Sequence, residues 1–227
     1  MSDTDSFIEE VTEEVRRDRL FLMLRRYGWI GVAGVLLIVG GATWREIQRS
    51  ADQDAAQALG DQMTAALEQN SPEARAAALA EVQATGPAAQ ALLRMAEAGA
   101  LVEAGDKAAA ADMLKALASN GALDQVYRDL AAFKALGLQS DILSVDERRL
   151  AYEALARPGA PLYLLSQEQL ALLEIETGDI DAAVARLREI SLSAGVSRDL
   201  QDRVRQVIVA LGGSLESGSE AEVSQDG

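Results

Sequence analysis

The chain contains no cysteine and no histidine. It therefore cannot close a disulfide, build a Cys/His zinc site, or use a thiol nucleophile or a histidine-based triad. Most enzyme chemistries are removed by that absence, and no metal, cofactor or catalytic residue is expected. Aromatic residues are scarce, and proline is limited to Pro72, Pro87, Pro158 and Pro161. Positive charge is also in deficit: 21 basic against 36 acidic side chains give a net charge of −15 over 227 residues. Such a surface repels phosphate backbones, so nucleic acid is not an expected partner. The remaining function classes are binding and scaffolding.

Against this polar background one stretch stands apart. From Tyr27 to Trp44 the sequence reads YGWIGVAGVLLIVGGATW, with no charge, between Arg25-Arg26 and Arg45. As a helix it covers about 27 Å, close to a bilayer hydrocarbon core of about 30 Å. Tyr27, Trp29 and Trp44 lie near its ends, where amphipathic rings favour the headgroup zone. A cleaved signal peptide is the rival reading, because Gly40-Gly41-Ala42 follows the apolar run. The 26 residues before the run include seven acidic side chains, unlike a short basic n-region, and favour an uncleaved anchor. Arg16, Arg17, Arg19, Arg25 and Arg26 precede it, against Arg45 and Arg49 after it. This bias puts the N-terminus in the cytoplasm and the rest across the membrane. Gly28, Gly31 and Gly34 recur without forming a Gly-x-x-x-Gly pair, and glycine is common in membrane helices anyway. The preceding arm has capping-box spacing at Ser6 and Glu9, with Phe7, Val11 and Val15 on one face. It reads either as an amphipathic helix or as a frayed polar lead-in.

Residues 51–227 carry 28 acidic and 14 basic side chains and 40 alanines among 177 residues, with no run of alternating β-branched residues. That composition favours closely packed helices, and the expected fold class is all-α. The division expected is an arm at 1–26, a transmembrane helix at 27–44, a helical-repeat domain at 45–211 and a disordered acidic tail at 212–227. Turn chemistry places the helix boundaries. A helix runs to about Asn70 with Ala55, Leu59, Met63, Ala66 and Leu67 on one face, and Ser71-Pro72 starts the next, which runs to about Ala84. Gly86-Pro87 precedes a helix over Ala88 to Ala104, with Leu92, Met95, Ala98, Leu101 and Val102 in a stripe. Further helices are expected over Lys107 to Ser119, over Asp124 to Leu136 with Val126, Leu130 and Phe133 inward and Gly137 as terminator, and over Asp146 to Ala156. The last three cover Gln167 to Thr177, Ile180 to Leu192 and Ser197 to Leu211.

An internal repeat emerges when Ala100 to Leu117 is aligned with Leu172 to Ile190 at an offset of 73. Gly105-Asp106 then falls on Gly178-Asp179, Ala109-Ala110 on Ala182-Ala183, Leu114 on Leu187 and Leu117 on Ile190, and each unit is followed by a helix ending in Leu-Gly. Ala98, Gly105 and Ala110 in one unit, with Ala171, Gly178 and Ala183 in the other, match the three small positions of the tetratricopeptide repeat, which this pattern resembles. Arg94 and Gln167 stand where that repeat carries Trp, and 73 is not a multiple of its usual period of about 34. An irregular hairpin between the units is expected; chance pairing of alanine-rich helices is the alternative. Stacked hairpins favour polypeptide binding over small-molecule chemistry.

The arm SFIEEVTEEVRRDRLFLMLRRYGW, the single span and the degenerate hairpins together resemble a bacterial family: the single-pass tetratricopeptide-like proteins described as ancillary subunits of the Sec translocon. The resemblance rests mainly on Phe7 to Gly41 and on Leu162 to Ile190. It implies an inner-membrane protein with a periplasmic helical domain that works beside periplasmic chaperones on exported polypeptides at the translocon, with no catalytic residues to transfer. The alternative is an envelope tether or assembly factor that self-associates through the arm without binding clients, which would make a homo-oligomer. For an enzyme, the only candidates are Glu174, Glu176, Asp179 and Asp181. Asp179, like Asp106, reads better as a helix cap, and Glu168, Glu174 and Glu176 as a solvated face. Tyr127, Tyr152 and Tyr163 are candidate contacts that read equally as core with the hydroxyl at the edge. No binding residue is singled out by the sequence.

Overall fold

The computed structural model describes the backbone of residues 3–213 and the side chains of residue 30, residues 33–34 and residues 36–213. Its regular structure is helical: α1 Asp3–Leu67, α2 Pro72–Glu81, α3 Pro87–Glu103, α4 Lys107–Ala118, α5 Gln125–Leu138, α6 Val145–Leu155, α7 Tyr163–Glu176, α8 Ile180–Leu192 and α9 Arg198–Ala210. No strand occurs among the described residues, and the all-α class is the one observed. The chain divides into two units, Met1–Ala58 and Leu59–Gly227.

The first unit is built on α1. Its described apolar side chains Ile30, Leu36, Leu37, Ile38, Val39, Trp44 and Ile47 are all exposed, Leu37 at 77%. The hydroxyl of Thr43 donates to the Val39 carbonyl at 2.8 Å, which satisfies the one polar side chain between Ile30 and Trp44 within the helix itself. Among the described residues no helix is long and apolar enough to cross a membrane. The expected span at 27–44 belongs only partly to them: the side chains of Tyr27, Gly28, Trp29, Gly31, Val32 and Val35 lie outside, as do those of the expected arm and residues 214–227 of the expected tail.

In the second unit the boundaries follow capping chemistry. Ser71 and Ser197 accept hydrogen bonds from the backbone N–H groups of Ala74 and Leu200 at 3.2 and 3.3 Å. Ser144 and Glu147 form a reciprocal capping box. Four expected boundaries are corrected. α1 ends at Leu67 rather than about Asn70, and α2 at Glu81 rather than about Ala84, because the backbone turns extended at Val82. Gly137 lies inside α5, which continues to Leu138, because a helical glycine stops a helix only where it turns left-handed, and Gly137 does not. α7 starts at Tyr163 rather than Gln167, immediately after the turn at Pro161 and Leu162. Two expected stripes also shift. Leu92 and Val126 are exposed, and alanines Ala91, Ala131 and Ala135 take the inward positions with Leu93. Short residues on that face let neighbouring helices come close, and the longer side chains face outward.

The repeat extends further than the two turns that first reveal it. At the same offset of 73, α2–α5 maps onto α6–α9 helix for helix. The N-cap serines Ser71 and Ser144 correspond, as do the caps Asp106 and Asp179, whose carboxylates accept from Ala109 and Ala182 at 3.0 and 3.3 Å. Gly86 and Gly159, and Gly105 and Gly178, all adopt φ between +80° and +89°, where L side chains are strained. The α3 and α7 ends close identically, with Asp106 and Asp179 N–H donating to the carbonyls of Leu101 and Glu174, both at 2.9 Å.

Packing is duplicated as well. Ala98, Ala110 and Leu114 are buried at one helix crossing, and Ala171, Ala183 and Leu187 at the other. Ala131 and Ala135 on α5 correspond to Val204 and Ile208 on α9, inside equivalent clusters. A second pair of clusters corresponds too: Leu79, Leu93 and Ala100 in one block, Tyr152, Ser166 and Leu173 in the other. The offset of 73 thus spans two helical hairpins, and the hairpin expected to be irregular is the regular partner of its neighbour. α5 packs extensively on α4 and sparsely on α6, so the seam between blocks falls between α5 and α6. Phe133 of α5 crosses that seam to meet Tyr152 edge to face, with ring centroids 5.7 Å apart.

Candidate functional site

Three of the four carboxylates that the sequence offers for chemistry are occupied with structure. Glu174 is buried and receives Arg186 through Nε at 3.0 Å and Nη2 at 2.5 Å. Glu176 pairs with Arg148 at 2.6 Å, which lowers its pKa, and Asp179 caps α8. Asp181 is exposed in the first turn of α8. Among the described residues no group of three or more such side chains is arranged to hold a metal ion.

The solvated face expected for Glu168, Glu174 and Glu176 is corrected for two of the three. Glu168 and Glu174 are 6% and 5% exposed, because arginines from α9 and α8 reach across to them. Arg203 holds Glu168 with both arms of its guanidinium, at 2.5 and 2.8 Å. In the first block the same four positions are Met95 with Leu130 and Leu101 with Met113. Ion pairs in the second block thus stand at positions where the first block carries apolar residues. One ion pair is instead common to both blocks: Arg75–Glu103 at 2.7 Å matches Arg148–Glu176 at 2.6 Å, each joining the first turn of one helix to the end of the next. Even the buried Nε of each arginine lacks a hydrogen-bond partner in both copies.

The tyrosines separate. Tyr152 is core, and burial raises its pKa. Tyr127 is half-buried against the first-block core. Tyr163 lines a cleft of about 590 Å³ between the start of α7 and the α8–α9 turn.

An opening of side-chain size lies between α3 and α5. Its volume is about 380 Å³, with walls of Met95, Val102 and Leu138 and a floor reaching Ala98 and Leu114; Glu103 and Lys134 stand at the rim. Gly99 and Gly137 also line it, and a Cβ added at either would meet nothing within 4 Å. The matching positions of the second block carry Leu172 and Ala210, with Val207 where Lys134 stands. This site carries little signal in the sequence: its mark is two glycines inside helices, recognisable only once the repeat is extended to α5 and α9. A second apolar cleft, of about 330 Å³, lies along the seam between Ala118, Ala132, Ala151 and Ala154. No family of known proteins, no curated protein and no solved structure matches this chain.

Proposed function

We propose that this protein is a single-pass membrane scaffold whose helical body, a degenerate tetratricopeptide-like solenoid, binds polypeptides beside the bilayer. The observation that carries the reading is the duplicated four-helix block with an apolar, side-chain-sized opening in one copy, on a chain whose apolar run at 27–44 is long enough to span lipid. The exposed Leu36, Leu37, Ile38 and Val39 support the lipid contact, since burying such side chains in hydrocarbon is favourable. The arginine asymmetry supports a cytoplasmic N-terminus and a periplasmic body. The resemblance to ancillary Sec translocon subunits supports exported chains or their chaperones as the partners. Anchoring raises the local concentration of the body near its clients, so weak intrinsic binding suffices.

Reporters fused before Tyr27 and after Trp44 test the topology, with opposite compartments expected. Crosslinking of detergent-solubilised membranes tests the partners, with translocon subunits, chaperones or exported chains expected among the adducts. Extraction of the intact chain by alkaline carbonate overturns the anchor. Recovery of self-adducts alone supports the tether instead.

A further inference from the structure

We propose that the cleft between α3 and α5 takes one large aliphatic side chain of a partner polypeptide together with a neighbouring carboxylate, which Lys134 captures. This rests on the polypeptide-binding reading and specifies which copy of the repeat binds and what it selects.

The cleft is apolar where it is deep and charged only at its rim. Helix-interior glycine is unfavourable relative to alanine unless the backbone or a close approach requires it. Neither reason applies at Gly99 or Gly137: both are helical, neither has positive φ, and nothing lies near the missing Cβ. The space they leave is therefore not used by this chain's own packing. The second block carries aliphatic residues at the matching positions, Leu172, Val207 and Ala210, with Leu172 still 39% exposed. In the first block an aliphatic side chain from outside takes the same role, and the flexible Met95 in the wall adapts to its shape.

The rim decides the sign of the partner's charge. Glu103 is held by Arg75 at 2.7 Å, whereas Lys134 makes no ion pair among the described residues. One ammonium is thus left at the mouth. The surrounding acidity is weakest here: residues 87–138 hold 6 acidic and 5 basic side chains, while residues 139–213 hold 12 and 8. A carboxylate adjacent to the inserted side chain complements Lys134, whereas a lysine there meets like charge.

The test uses the full-length chain in detergent micelles and a short labelled peptide with Leu beside Glu, compared with versions having Lys for Glu or Ala for Leu. The wild type is expected to prefer the Leu-Glu peptide over both by about tenfold. Gly99→Leu and Gly137→Ala, which install the second-block residues, are expected to weaken binding about tenfold without lowering the melting temperature. Lys134→Glu is an exposed-site variant that does not depend on tolerance of the cleft, and it is expected to invert the preference between Glu and Lys peptides. Unchanged binding by Gly99→Leu, or a wild-type preference for the Lys peptide, overturns the cleft assignment. If the wild type still captures a reduced, unfolded protein in that case, the broader reading stands. If it captures neither peptide nor unfolded protein, the broader reading falls with it.

Discussion

The block α2–α5 and the block α6–α9 share one backbone plan and fill it differently. In the first, small side chains dominate the crossings, Met95 and Leu101 are apolar, and two glycines leave a cleft between α3 and α5. In the second, Val204 and Ile208 replace alanines, two buried carboxylates are held by arginines, and Leu172 and Val207 occupy the positions that bound the cleft. Positions that set chain geometry at three turns are held in both copies: the caps Ser71/Ser144 and Asp106/Asp179, the positive-φ glycines Gly86/Gly159 and Gly105/Gly178, and the Arg75–Glu103 and Arg148–Glu176 pairs. The lesson is that backbone chemistry defines the repeat, while side-chain volume and pairing are free to diverge and give one copy an opening.

Several substitutions sharpen or break that contrast. The largest effect is expected at the crossing that both copies retain. Leu114→Ala and Leu187→Ala each remove a fully buried side chain, at a cost of about 3 kcal/mol each in chemical denaturation. A loss confined to one of the two would mean that the copies do not share a common core. Next comes Arg186→Ala, which leaves Glu174 buried without its partner, with an expected loss of about 2 kcal/mol. The double exchange Glu174→Leu with Arg186→Met restores the first-block pair and should be close to neutral or stabilising, because apolar replacement of a buried ion pair removes both desolvation costs. If the double exchange is as damaging as the single one, the two contacts are not interchangeable.

Glycine substitutions are expected to act in opposite directions. Gly105→Ala or Gly178→Ala forces an L side chain to positive φ and should cost about 1 kcal/mol, whereas Gly137→Ala should gain up to about 1 kcal/mol. Thermal melts of the four single variants Gly105→Ala, Gly178→Ala, Gly137→Ala and Gly99→Ala check this directly.

The smallest effect concerns pH and is weighted towards the second block. Arg148 lowers the pKa of Glu176, and Ser144 lowers that of Glu147, below the usual value of 4.5. Groups with depressed folded values stabilise fully above the unfolded value and lose that contribution as pH falls through the folded value. A modest decline in melting temperature is therefore expected below about pH 4.5, with Glu147→Gln and Glu176→Gln flattening it. Glu73, lowered by the backbone and by Ser71, contributes a similar slope from the first block.

Much of the fold is legible in the sequence because turns are written in residue types. Ser71-Pro72, Gly86-Pro87, Gly105-Asp106 and Gly178-Asp179 each start or end a helix where local chemistry requires it, and α8 has the bounds expected of it. What could not be read is which face an alanine-rich helix buries. Where Ala91, Ala131 and Ala135 go inward and Leu92 and Val126 outward, hydrophobicity alone points the wrong way. The buried states of Glu168 and Glu174 were hidden for a related reason. Their partners lie on other helices, 35 and 12 residues away, at no spacing that a helical face reveals. The cleft was hidden because it consists of missing side chains, and absence becomes visible only by comparison with the copy in which they are present.

The most direct test places a photo-crosslinking side chain at Val102, in the cleft wall, and at Ile175, its second-block counterpart, in the full-length chain in isolated membranes. Adducts with other polypeptides are expected from position 102 in the membrane fraction, and markedly fewer from position 175. Equal labelling from the two positions, or adducts from neither, would contradict a membrane-held body that binds polypeptides through one copy of its repeat.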